Sequence, residues 1–141
     1  MAHPDLDILL NALLPFAHKM LDQHGEFYPV GASMALEGKV QLAGAVASEE
    51  HPSSTDLISL LEEGFRNLAR KRAIRAIAIC LDARVVRPGQ KEKCDAICVR
   101  LEHREGETVE VYQPYRKAKV GKWVYEDIFS SAGERRIFRA E

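Results

Sequence analysis

The chain lacks the features that would place it in a specialised class of protein. Its 141 residues include only 3 cysteines, and the formal net charge is −1. An odd and low cysteine count argues against a disulfide-rich secreted scaffold and is typical of a reducing compartment. A net charge near zero gives no basic field for nucleic acid or for an anionic membrane. We therefore expect a cytoplasmic protein with neither a membrane nor a nucleic acid as partner.

Signal sequences and long apolar runs are also missing. Residues 1–7 carry two acids and lack the basic start of a secretory signal. Charged residues or prolines interrupt every apolar stretch well short of a membrane span. Apolar residues make up 46% of the chain and charged residues 29%, the balance of an ordinary globular protein. We expect one α+β domain over residues 1–141.

No catalytic or cofactor motif is present. The sequence contains no G-x-S-x-G, H-E-x-x-H, P-loop or G-x-G-x-x-G pattern. Cys94 and Cys98 have a spacing that invites a metal interpretation. On a strand they are about 13 Å apart at ~3.3 Å per residue, too far for one zinc ion. We expect no cofactor and no metal ion. A Cys/His pair is one of the two arrangements by which the protein would be an enzyme.

The first half of the chain predicts a helix, a hairpin and a second helix. Apolar residues recur at helical spacing over Asp5–His24, and Pro15 is expected to kink or split this helix. Two strands, Phe27–Leu36 and Lys39–Ala47, are predicted around a two-residue turn that pairs Leu36 with Lys39. A second amphipathic helix follows the loop at 51–55 and ends at the basic cluster 70–72. We interpret that cluster as a complement to the helix dipole.

The second half predicts an antiparallel meander. Strands over 73–86 and 94–101 flank the turn at 87–90, and a second turn at 103–107 leads to a third strand. A hairpin centred near Gly89 pairs Ile79 with Val99, which places the aliphatic residues on one face and the small residues, including Cys80 and Cys98, on the other. A strand over Val120–Glu126 and an irregular tail complete the chain. The second turn sets Val111 opposite Val99.

The resulting fold class is α+β, with two main helices packed on a mostly antiparallel sheet of about five strands, in the order α-β-β-α-β-β-β-β. A sheet that is apolar on both faces needs cover on both. Two interpretations remain open: a homodimer supplies part of the cover, or the helices and the tail close the fold by themselves.

Two segments are candidate binding surfaces. His24, Glu26 and Tyr28 lie close together where a helix gives way to a strand, and such a junction is able to line a pocket. The most basic stretch, 116–122, is flanked by aromatic residues, a pattern found in sites for single strands or for protein partners. The residues concerned in this second segment are Tyr112, Tyr115, Arg116 and Trp123. Solvated lysines beside aromatics that cover the sheet explain the same pattern without a ligand.

Three segments resemble a family of small bacterial proteins with no assigned function: 25–30 (GEFYPV), 95–104 (DAICVRLEHR) and 112–116 (YQPYR). The order of elements is also similar to the roadblock/LC7 and profilin-like architectures, which are often dimeric scaffolds. A kinked first helix and an irregular C-terminal tail would differ from that scaffold. A small α+β protein without catalytic motifs is typical of a non-enzymatic protein-interaction or regulatory module, and the scaffold that it resembles implies a dimer. The alternative is a small-ligand-binding protein or enzyme with a pocket near His24, Glu26 and Tyr28.

Overall fold

The computed structural model describes residues 3–44, 53–119 and 121–138. These residues form two helices and seven strands, which confirms the predicted α+β class. In chain order the elements are α1 (Pro4–His24), β1 (Val30–Ala35), β2 (Val40–Gly44), α2 (Ser54–Arg70), β3 (Ile74–Val86), β4 (Lys93–His103), β5 (Thr108–Lys117), β6 (Trp123–Tyr125) and β7 (Phe129–Ala132). The strands pair antiparallel in the order β2-β1-β3-β4-β5-β6, and β7 pairs with β5.

The two helices cover opposite faces of the sheet. Successive side chains of a strand point to opposite faces, and β3 is apolar on both. Its small residues Ala76, Ala78 and Cys80 pack with α1 in one buried cluster. Its aliphatic residues, including Ile77 and Ile79, pack with α2 and the C-terminal segment in a second cluster. The helices therefore do not share the small-residue face, and the described chain covers both faces of β3 itself.

Helix α1 runs without interruption through Pro15. Proline removes one backbone hydrogen bond, but the apolar stripe on both sides of it stays buried against the sheet, from Leu6 to Leu21. The expected split does not occur, because packing along the whole stripe holds the helix together. Gly25 ends the helix in the left-handed conformation, at φ 73°.

Helix α2 lies against β1 at a glycine. A Cβ atom added to Gly31 would lie 2.7 Å from Cζ of Phe65, so only glycine allows this approach of helix to strand. Ser53 caps the helix by accepting a hydrogen bond from the N–H of Asp56. The predicted loop at 51–55 thus contains the N-cap residue of α2. Residues 51 and 52 lie outside the described residues. Among the described helices, neither has the length and apolarity to cross a membrane.

The predicted register of the β3–β4 hairpin is wrong by one residue. Ile79 lies opposite Arg100 and Cys80 opposite Val99. Six residues connect the strands, so the centre falls between Gly89 and Gln90 instead of on Gly89. A shift of one residue exchanges the faces of one strand. Cys98 therefore joins the aliphatic residues of β3, while Val99 packs beneath α1 with Cys80. The next pairings, including Val99 with Val111, are as predicted.

The β1–β2 hairpin shows the same kind of error. Ala35 donates its N–H to the carbonyl of Lys39 across a three-residue loop, and Gly38 has φ 96°. This is a type I turn followed by a left-handed residue, in place of the two-residue turn that we expected. Met34 therefore lies opposite Val40. The strands are also shorter than predicted, and the end of the second, residues 45–47, lies outside the described residues.

The C-terminal segment contains more strand than expected. The predicted strand over 120–126 is reduced to β6, and its first residue, Val120, lies outside the described residues. The segment predicted to be irregular forms β7, which pairs with β5 from Val109 to Tyr112. Four residues are too few for an alternating pattern to identify a strand. Pairing with the edge of β5 therefore determines that this segment is a strand. Ile137 and Phe138 then enter the second core cluster.

Helix α2 ends in a turn that usually holds glycine where this chain has Arg72. The N–H of Ala73 donates to the carbonyl of Leu68 at 3.0 Å, and the N–H of Arg72 donates to that of Ala69 at 3.0 Å. These are the two hydrogen bonds of a Schellman motif. Arg72 has φ 56° and is the one non-glycine residue with positive φ in the described ranges. A left-handed residue with a side chain costs about 1–2 kcal/mol, so Arg72 is kept at a conformational cost.

We expect Arg72→Gly to stabilise the fold by about 0.5–1 kcal/mol, because the relief of left-handed strain exceeds the extra entropy that glycine loses on folding. Urea unfolding monitored by circular dichroism measures this change. Lys71→Gly is the matched control, since Lys71 is right-handed at φ −80° and glycine there is expected to destabilise. A loss of stability in Arg72→Gly would contradict the assignment of strain.

Candidate functional site

The residues that the sequence groups as a pocket do not converge on one point. They are His24, Glu26 and Tyr28. His24 and Glu26 are exposed where α1 ends. Tyr28 is 54% exposed and lines a groove of about 310 Å³ between both helices and the β1–β2 hairpin. The other lining residues are almost all apolar: Phe16, Met20, Pro29, Val30, Gly44 and Leu57. As far as the described residues line it, the site is therefore an apolar groove, to which the Tyr28 side chain contributes a polar hydroxyl.

The aromatic and basic residues of the second candidate surface are divided between the two faces of the sheet. Tyr115 and Trp123 contact each other edge to face at 5.6 Å and pack with the α1 cluster. Tyr112 packs with the α2 cluster and stacks on Phe129 at 5.2 Å. Arg116 forms an ion pair with Glu126 at 3.3 Å. These side chains form no single stacking platform, and their contacts are those of residues that cover the sheet.

The two core cysteines are placed as structural thiols. Cys80 and Cys98 are 0% and 2% exposed and lie in different core clusters, on opposite faces of the sheet. Burial raises the pKa of Cys98 to about 11 and also raises the pKa of Cys80. The thiolate is the reactive form of cysteine, so neither residue has the character of a nucleophile at neutral pH. Cys94 and Cys98 both lie in the regular part of β4, at the separation that the sequence predicts.

A buried polar network that the sequence did not indicate joins α1 to the β4–β5 turn. Nε2 of His103 lies 2.8 Å from Oδ2 of Asp5, and Arg75 donates to Oδ1 of Asp5 at 3.1 Å. The ring of His3 stacks on that of His103 at 4.0 Å. Burial acts to raise the pKa of Asp5, but the hydrogen bonds from His103 and Arg75 outweigh it, so the pKa is lowered. The network holds the first turn of α1 on the sheet.

The arrangement of His3, Asp5 and His103 has the composition of a metal site, but their lone pairs are already used. Nδ1 of His3 accepts from the N–H of Asp5, and Nδ1 of His103 accepts from the N–H of Glu105, both at 3.1 Å. The ring protons are therefore on Nε2, which faces a carboxylate in each histidine. The stacked rings also keep their nitrogen lone pairs in nearly parallel planes, 22° apart, whereas a zinc ion prefers ligands in a tetrahedral arrangement. The network fits a structural role.

The β2 edge of the sheet exposes several apolar side chains. We define the β2 edge surface as strand β2, which contains Leu42, together with Tyr28 and Leu36. Tyr28, Leu36 and Leu42 are 54%, 42% and 49% exposed. Among the described residues, β2 pairs with β1 alone. Alternate N–H and C=O groups of an edge strand point away from its neighbour and remain able to bind another strand. Sequence reasoning missed this surface because strand order, which makes β2 an edge, is not written in the local pattern.

The opposite edge of the sheet is built differently. There β5 is covered by two short strands, β6 of three residues and β7 of four. Very short edge strands, charges and prolines are the usual means by which proteins prevent pairing at an edge. Strand β2, with the sequence VQLAG, contains no charge and no proline. The two edges therefore differ, and β2 has the properties of a strand that accepts a partner.

Comparisons with protein-family models, with the curated proteins and with the solved structures find no match to this chain. The resemblances drawn from the sequence therefore stay predictions.

We expect Asp5→Asn to lower the free energy of unfolding at neutral pH by about 1–3 kcal/mol, the usual worth of hydrogen bonds to a charged group. The pKa of Asp5 is lowered in the folded state. The Asp5 charge therefore contributes its full stability above the pKa of the unfolded state, about 3.9. This contribution is lost as the pH falls through the lower pKa of the folded state. The deficit of Asp5→Asn should therefore shrink below about pH 4.

The measurement is chemical unfolding of both proteins across the acidic range. Asp7→Asn is the matched control, because Asp7 is an exposed acid in the same first turn of α1. A deficit of Asp5→Asn that stays constant down to the lowest pH would contradict a role for the Asp5 charge.

Proposed function

We propose that the protein is a non-enzymatic interaction module that assembles with a second copy of itself through the β2 edge surface. The observation that carries this proposal is the uncharged, singly paired edge strand β2 with exposed leucines on and beside it. Addition of a strand to such an edge satisfies its free backbone groups and buries its apolar side chains. This agrees with the dimeric scaffold that the order of elements resembles.

A second copy is a better occupant of the edge than a charged partner. In an antiparallel pair centred on Leu42, Val40 lies opposite Gly44 of the second copy and Gln41 lies opposite its Ala43. No like charges face each other in this pairing. Like charges directly opposite each other would be destabilising. The two Leu42 side chains meet at the two-fold axis, where their exposed fraction would be removed from water.

Five residues of paired strand are not a complete interface. Stable interfaces bury about 1,200–2,000 Å², so the assembly also needs the apolar groove at the end of β2. Gly44 ends β2 and lines that groove together with Phe16, Met20 and Tyr28. Methionine and aromatic residues are enriched at interfaces. Edge and groove are continuous, which lets one partner cover both.

The alternative function is binding of a small apolar ligand in the same groove. Its volume of about 310 Å³ lies at the lower limit for small-molecule sites, which are usually about 300–1,000 Å³. Such sites also place a few polar groups to orient the ligand, and among the described lining residues Tyr28 has the one polar side chain. A monomer that co-purifies with a small molecule in native mass spectrometry would favour this alternative.

Light scattering is expected to give the wild-type protein twice the 15.8-kDa mass of the chain, and Leu42→Lys the mass of one chain. Two lysines at the two-fold axis repel each other and cannot be buried unpaired. Ile128→Lys is the matched control, since Ile128 is 47% exposed at the other end of the sheet, and it should remain a dimer. A wild-type monomer, or a folded Leu42→Lys dimer, would overturn the proposal.

A further inference from the structure

Four arginines from three separate parts of the chain surround one cleft of about 300 Å³. The end of α2 supplies Arg70 and the turn after it Arg72, the β4–β5 turn supplies Arg104, and the C-terminal segment supplies Arg135. All four are exposed. The remaining lining residues are Ala69, Ile137 and Phe138, so the cleft has charged walls and an apolar floor. No acidic side chain lines it in the described part of the chain.

The floor of the cleft is held by a buried carboxylate. Glu102 is 3% exposed and accepts hydrogen bonds from the backbone N–H groups of Arg136, Ile137 and Phe138, at 2.9, 3.0 and 2.6 Å. Arg66 donates to the carbonyl of Arg136 at 2.8 Å from α2. These contacts fix the C-terminal segment between α2 and β4. The position of Arg135 beside the end of α2 follows from them.

No carboxylate of the described residues neutralises the four guanidinium groups. Within the described residues, none of the four has a carboxylate oxygen within 4.0 Å, whereas Arg75, Arg100 and Arg136 each have at least one. Convergent cations of this kind repel each other, and a bound anion removes the repulsion. Guanidinium groups match phosphate oxygens in pairs of parallel hydrogen bonds.

The conformation of Arg72 gives an independent indication. Its left-handed position favours glycine, and glycine would relieve the strain described above for the end of α2. Residues with strained backbone conformations cluster at active sites and ligand-binding sites, where the surrounding structure holds them in place. At this position the side chain of Arg72 forms part of the cleft wall. The interpretation of residues 70–72 as a complement to the helix dipole accounts for Arg70 but not for Arg72, which lies beyond the helix.

We propose that this cleft is a binding site for a small molecule that carries two or more phosphate groups. The phosphates contact Arg70, Arg72, Arg104 and Arg135, and any apolar part of the ligand lies on Ile137 and Phe138. The site is separate from the β2 edge surface and does not depend on the dimer. Several arginines around one cleft select for multiple negative charges, so a diphosphate should bind more tightly than a single phosphate ion.

Isothermal titration calorimetry with inorganic pyrophosphate, ADP and inorganic phosphate tests the proposal on the full chain. We expect pyrophosphate or ADP to bind, and phosphate to bind at least about tenfold more weakly. Tighter binding of ADP than of pyrophosphate would identify an organic diphosphate as the ligand, and the reverse would identify the inorganic ion. Absence of heat with both diphosphates at millimolar concentration would overturn the proposal.

Two variants locate the binding in the cleft. Arg72→Gly and Arg104→Gln should each weaken diphosphate binding about tenfold or more, the loss expected for one charge-assisted contact. Arg72→Gly is the sharper variant, because the fold is expected to tolerate it. Arg84→Gln is the matched control, an exposed arginine ten residues beyond Ile74 on β3, about 33 Å along the strand. Equal weakening in the control, or none in the cleft variants, would overturn the site.

Discussion

The need to bury the central strand β3 on both faces determines the rest of this structure. From Ala76 to Leu81 its side chains are apolar on each side, and a strand in this position has to be covered above and below. One helix cannot do both. The chain therefore places α1 over the small residues of β3 and α2 over its aliphatic residues, and the C-terminal segment completes the second cover. Small residues under α1 let the longer helix lie close to the sheet.

The two ends of the described chain are attached through adjacent residues of β4. Glu102 and His103 point to opposite faces, are 3% and 2% exposed, and each satisfies polar groups of one terminal segment. His103 contacts Asp5 at the start of α1, and Glu102 accepts the backbone N–H groups of 136–138. Buried polar groups are costly unless they are paired. The end of β4 therefore fixes the first turn of α1 on one face and the floor of the arginine cleft on the other.

The two proposed surfaces arise from what this architecture leaves uncovered. The β2 edge surface exists because the β1–β2 hairpin adds to one side of β3 and no described strand lies beyond it. The arginine cleft exists because the end of α2, the β4–β5 turn and the C-terminal segment meet at one end of the second face. The first surface is apolar and suits a protein, whereas the second is cationic and suits a small anion. The chemistry of each follows from its side chains, but the place of each follows from the sheet.

The sequence by itself determined the elements whose signal is local. Helical spacing predicted α1 and α2, the glycine turns predicted the hairpins, and the second turn predicted the pairing of Val99 with Val111. The tertiary structure alone decided the register of β3 with β4, the existence of β7, and the grouping of Arg104 and Arg135 with α2. A loop one residue longer than supposed leaves the pattern of each strand unchanged but exchanges the faces of one of them. Strand order and the meeting of distant segments depend on long-range packing, which no local pattern of residues records.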